Sequence, residues 1–165
     1  MDIQENPRLL QNYRMAAMIA AGLAVGILVY AAVVEFMLWS QPGFAGFIDG
    51  NMPAWLRPLL IALAVVLVLS SGWVRGHLLG DGAGLDVMVG QALLPQQRYQ
   101  VMLRAVIVAL VMCEAAALCG LLLFMLSGMR LDFYGLALVA LFGMRVRFPA
   151  YQQWQMWYAR RNSIR

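Results

Sequence analysis

The sequence predicts an all-α polytopic membrane protein of four transmembrane helices, with both termini on the cytoplasmic side and an amphipathic helix at the membrane interface after the last span. Three observations lead there. The chain is 63% hydrophobic and 12% charged, against roughly half and a quarter in soluble domains. Its charges are segregated, none falling at 15–34, 59–74, 105–113, 115–129 or 133–144. All twelve of its basic residues are arginines, and they are unevenly placed.

The first element is a cytoplasmic tail, residues 1–14, carrying Arg8 and Arg14. A long apolar run follows, read as an uncleaved first span over 15–39 rather than a secretory leader. A helix needs about 20 mostly apolar residues to cross the hydrocarbon layer, with each backbone polar group bonded internally. Residues 54–73 and 101–129 meet that length, and 131–148 meets it if Asp132 lies at one interface and Arg145 and Arg147 snorkel at the other. Together 15–148 form the transmembrane domain.

The connections fit this division. Residues 40–53 contain Pro42, Pro53 and several glycines, as a loop should. The link at 128–130 is short enough to force a tight antiparallel hairpin. The middle connection includes Gly80-Asp81-Gly82-Ala83-Gly84, but no lysine or serine completes a phosphate-cradling loop there, so nucleotide binding is not expected. Ten of the arginines fall on the tails and the edges of the middle connection, and only Arg57 and Arg130 on the other side. That bias puts both termini in the cytoplasm, in a bacterial inner membrane, and accounts for the net charge of +4 without a nucleic-acid partner. Tyr13-Arg14 and Tyr99-Gln100 each precede a span, loop and span unit, which suggests a parallel repeat.

Residues 149–165 form the last segment. Tyr151, Trp154, Trp157 and Tyr158 alternate with glutamines, and Arg160 and Arg161 follow. This composition suits a helix whose rings sit at headgroup level and whose guanidinium groups face anionic lipid.

Candidate chemistry centres on Glu114, near the middle of the third span, where a charge is most costly. A carboxyl group at that depth favours its neutral form and can exchange a proton or hold an ion. Ala105, Ala109, Cys113, Ala116 and Gly120 form a stripe of small residues beside it, suited to close helix approach. That leaves Glu114 directed toward a subunit interface or lipid, or else hydrogen-bonded to Ser70 or Ser71. Gly22 and Gly26 of the first span satisfy the same small-residue spacing. Glu35 falls close to the outer surface, where it could line a vestibule with Asp49, Asp132 and Tyr134. Cys113 and Cys119 are six residues apart on one helix, about 9 Å along its axis and too far to bridge. With His77 the sole histidine, no metal-ligand set of Cys and His exists and no cofactor is expected.

Around Glu114 the chain resembles the proteolipid (subunit c) family of rotary ATP synthases. The run Glu114-Ala115-Ala116-Ala117-Leu118-Cys119-Gly120 is similar to that family's carboxylate-bearing helix, and Arg98 to its polar loop. The resemblance covers residues 98–122 and does not extend to the rest of the chain. It implies Glu114 as an ion site and Arg98 as a polar-loop residue.

Two functions are expected. The first is a non-enzymatic membrane subunit that packs in or anchors a larger complex, with lipid and other membrane subunits or further copies of itself as partners. The alternative is a proton- or ion-translocating component that uses Glu114. No catalytic constellation is evident in the residue spacing.

Overall fold

In a computed structural model, residues 7–48, 53–80, 95–148, 150–152 and 155–156 are described. Four helices organise them: α1, Pro7–Ser40; α2, Leu56–Gly80; α3, Pro95–Ser127; and α4, Arg130–Arg147. Pro7, Pro58 and Pro95 all fall within the first turn of a helix, where the missing N–H has no intrahelical partner to lose.

Each helix buries a face set by its apolar spacing. Among the described side chains of α1, Ala16, Ile27 and Val34 are the fully enclosed ones, a narrow stripe. On α2 the stripe is Leu60, Ala64 and Ser71. In α3 the buried set is far broader, with Met102, Ala105, Val106, Ala109, Leu110, Cys113, Ala116, Ala117, Leu123 and Phe124 repeating at three- and four-residue steps. Helix α3 is therefore the axis of the fold. It packs extensively against α2 and α4 and along one side against α1.

The order along the chain produces alternating directions. Gly120 of α3 meets Phe133 and Leu136 of α4, while Cys113 meets Gly143, so these two helices run antiparallel. Arg57 reaches Asp132 near the start of both α2 and α4, and Arg75 reaches Arg147 near their ends, so those two run parallel. Helices α1 and α2 each touch both α3 and α4 but make no extended contact with each other. They therefore lie on opposite sides of the α3–α4 pair. Tyr13 at the start of α1 packs against Phe148 and Tyr151, with ring centroids 5.7 and 5.3 Å apart, so the first helix begins at the end of the molecule where the last one stops.

The structure corrects the four-span expectation. Three helices are long and apolar enough to cross a membrane: Leu10–Ser40, Leu56–Leu78 and Met102–Ser127. Helix α4 does not qualify. Its 18 residues amount to about 27 Å, short of a hydrocarbon layer of about 30 Å. Four of those residues are charged, and two of the four charges are directed sideways into the bundle instead of toward an interface: Asp132 bonds Arg57 and Arg147 bonds Ser71. The assignment of both termini to the cytoplasm rests on the arginine distribution and not on the span count. Of the residues expected as interface anchors, Tyr151 packs on Tyr13 at the end of the bundle, and Trp154, Trp157, Tyr158, Arg160 and Arg161 lie outside the described residues.

At the opposite end, the loop after α1 is locked onto the α3–α4 turn. Phe47 N–H donates to the Met125 carbonyl at 2.8 Å, and Gly128 N–H donates to Phe124 at 2.7 Å. Gly46 and Gly128 both adopt positive φ, +92° and +70°, and their backbones press against the facing segment.

The outer surface is apolar along whole helices. Met18, Leu28 and Phe36 of α1 are 68%, 61% and 62% exposed, as are comparable residues along α2 and α4. Soluble monomers rarely expose contiguous apolar patches beyond a few hundred Å². Together with the three long apolar helices, this surface identifies an integral, multi-helix membrane chain.

Candidate functional site

The polar side chains between the helices fall into three groups. At mid-depth the Tyr30 hydroxyl donates to Glu114 Oε1 at 3.1 Å, joining α1 to α3. Gly26, one turn before Tyr30, leaves the space that this carboxylate occupies: a Cβ there would lie 3.0 Å from Oε1. Glu114 is thus directed at α1 of its own bundle. The expectation that it turns away from its neighbours overlooked that α1 runs along the half-buried flank of α3, beside the small-residue stripe. Gly22, the other member of the α1 pair, has nothing within 4 Å of where a Cβ would stand and takes no part in this contact.

The second group lies toward the end of the bundle that contains Tyr13 and Phe148. Ser71, fully buried, donates to the Val68 carbonyl at 2.6 Å. Its oxygen accepts from Arg147 Nε at 3.2 Å and lies 3.8 Å from Cys113 Sγ. Gly72 makes the notch for this guanidinium, because a Cβ at 72 would come within 2.6 Å of Arg147 Cζ. Arg75 in turn donates to the Arg147 carbonyl at 2.6 Å, where the end of α4 leaves carbonyl groups without helical partners. Ser70, by contrast, only back-bonds to Leu67 of its own helix at 3.2 Å. Neither serine contacts Glu114.

A third group lies at the opposite end. Arg57 NH2 donates to Asp132 Oδ1 at 2.9 Å, and Arg57 Nε stands 2.9 Å from Oδ2. The latter contact has ion-pair distance without hydrogen-bond alignment, leaving Oδ2 buried and short of a bond. Nearby, the Tyr134 hydroxyl donates to Glu35. The pairing of Glu35 with Tyr134 fits their expected proximity, whereas Asp49 lies outside the described residues.

The bond to Glu35 holds the Tyr134 phenol above its usual value of 10.0, helped by burial and by the Glu35 charge and opposed by Arg130. A folded-state value raised above the unfolded one favours the neutral phenol. Its stabilising contribution is complete below the unfolded value and is lost as pH rises through the folded value. Ultraviolet titration of phenolate, taken as wild type minus Tyr134→Phe, is expected to show this tyrosine ionising late, and Glu35→Ala is expected to shift it earlier. No shift in the Glu35 variant would contradict the pairing.

The small-residue stripe of α3 is enclosed throughout, with Ala105, Ala109, Cys113 and Ala116 at 0% exposure and Gly120 against α4. Arg98 falls in the first turn of α3, its side chain outside those described. Among the described residues no three His, Cys, Asp or Glu side chains converge to hold a metal ion. Two of the lateral grooves have mainly apolar linings. One, about 360 Å³, runs between α1, α3 and α4 past Ala17, Ala20, Ala21 and Ala24 toward Arg145. The other, about 440 Å³, runs between α2 and α4 toward Arg147. Both have apolar walls with an arginine at one end.

Sequence reading did not identify Tyr30 or Arg147. The signal for Tyr30 was a single hydroxyl at the depth of Glu114 in the otherwise aliphatic stretch 15–34. For Arg147 it was a glycine beside a serine in α2, which offers both room and an acceptor. Comparison of the chain with protein-family models, curated proteins and solved structures gives no match.

Proposed function

We propose that the chain is a non-catalytic integral membrane subunit that packs within, or anchors, a larger membrane complex. The observation that carries this reading is the disposition of its polar groups. Tyr30, Glu114, Ser70, Ser71, Arg57, Asp132 and Arg147 each bond within the chain, while the outward faces of α1 and α2 are aliphatic and aromatic. Chemistry is directed inward, toward holding helices together, and what remains outside suits lipid and a neighbouring helix. Its partners are other membrane subunits or further copies of the chain. The end carrying Arg145 and Arg147 faces the cytoplasm of a bacterial inner membrane, a placement supported by the arginine bias.

Photocrosslinking from Met18 and Leu28 in native membranes tests this reading. Discrete protein adducts of constant mass are expected. Adducts with lipid alone from both positions would contradict it.

The alternative, an ion-translocating component that uses Glu114, makes a different prediction. Gln at 114 keeps an acceptor for Tyr30, so in the packing role Glu114→Gln leaves assembly intact and changes stability by no more than about 1 kcal/mol. Loss of a proton-coupled activity in that variant, with assembly preserved, would favour ion translocation. The contact of Glu114 with Tyr30 and Gly26 supports the packing role.

A further inference from the structure

We propose that the groove between α2 and α4 is a binding site for one acidic phospholipid, its phosphate held by Arg147 and Arg75 and an acyl chain lying along Leu69, Leu138, Val139 and Phe142. This rests on the residence of the chain in a membrane and not on its role as a subunit.

Among the described residues the charge at this site has no opposing partner. Arg147 and Arg75 are both half-buried, and no described carboxylate lies within ion-pair distance of either. The acceptors they have are neutral: Ser71 Oγ and the Val68 carbonyl, the latter at the 3.5 Å limit, for Arg147, and the Arg147 carbonyl for Arg75. A guanidinium group carries five N–H donors in a planar fork, so both retain donors for an anion, and the fork matches phosphate geometry. Burying a cation without an opposing charge is costly, and an anion delivered from the bilayer removes that cost.

The arginine is also seated. Gly72 provides the notch and fully buried Ser71 fixes Nε, so the orientation of the fork is built into the helix packing. Depth agrees with a headgroup. Arg75 lies three residues before Leu78, the end of the second apolar span, or about 4.5 Å along the helix. Exposed Trp73, stacked on His77 at 5.1 Å, lies at the level where aromatic rings mark the interface. From Arg147 the groove continues into the apolar layer between Leu69 of α2 and Leu138 and Phe142 of α4, walls that fit an acyl chain and not a soluble anion.

The test uses the purified full chain in detergent, incubated with phosphatidylglycerol or phosphatidylcholine of identical acyl chains, and reads retained lipid by native mass spectrometry. Phosphatidylglycerol is expected to be retained at least about tenfold more strongly, the scale of one charge-assisted hydrogen bond. Arg147→Gln is expected to abolish the preference. Val139→Trp, which fills the groove and leaves the arginine seat alone, is expected to reduce binding of the acidic lipid by a similar factor with the helical content unchanged. Should Arg147→Gln fail to fold, the groove-filling variant decides by itself. Equal retention of the two lipids, or undiminished preference in either folded variant, would overturn the proposal. So would equally effective competition by glycerol 3-phosphate, which would reduce the site to one for a free anion.

Discussion

Gly128→Ala is expected to lower the unfolding free energy by about 2–5 kcal/mol, the sum of left-handed backbone strain and overpacking. The residue adopts φ +70°, and a Cβ there would lie 2.5 Å from the Phe44 carbonyl oxygen and 2.7 Å from the Ala45 carbonyl carbon. Those neighbours are backbone atoms and cannot rotate aside. They belong to the loop that bonds Met125 through Phe47, so displacing them also disturbs the closure of the α3–α4 turn. Unfolding measured in mild detergent checks this. An unchanged midpoint would mean that the loop does not bear on the turn.

Gly120→Leu should cost about 1–3 kcal/mol, the usual penalty for overfilling a packed contact. The first atom added would stand 3.0 Å from Leu136 Cβ and 3.3 Å from the Phe133 carbonyl oxygen, in the contact between α3 and α4. Gly22→Leu is the matched comparison. That position is open, and the same substitution there should stay within about 0.5 kcal/mol. Leu is the better helix former of the two residues, so equal losses in the two variants would show that the contact with α4 does not set the cost at Gly120.

The difference between these two glycines marks how far the sequence could be read. Spacing made Gly22, Gly26 and Gly120 equivalent, since each satisfies a small-residue pattern, but the pattern does not say which helix will approach. Only Gly26 and Gly120 meet a neighbour. The helices themselves were legible because long uncharged runs leave little choice. The stripe from Ala105 to Gly120 was legible because a three- and four-residue period has one meaning on a helix. Counting spans was harder. Asp132 and Arg147 looked like the two interfacial ends of a crossing helix, whereas both are drawn sideways, by Arg57 and by Ser71.

Partners of this kind come from residues distant in sequence and leave little local trace. Tyr30 and Glu114 are 84 positions apart. Their meeting depends on α1 running parallel to α3, which follows from the loop and the intervening helix and not from either residue. The resemblance expected over residues 98–122 implies an ion-site role for the acid alone. The structure adds the hydroxyl and the glycine that receive it.

The role in a larger complex is tested most directly by the mass of the chain extracted into native-lipid nanodiscs at its normal expression level. The account predicts a defined assembly, with protein mass well above the 18.3 kDa of a single chain and fixed stoichiometry. A homogeneous population holding one chain of 18.3 kDa and no other protein would contradict it.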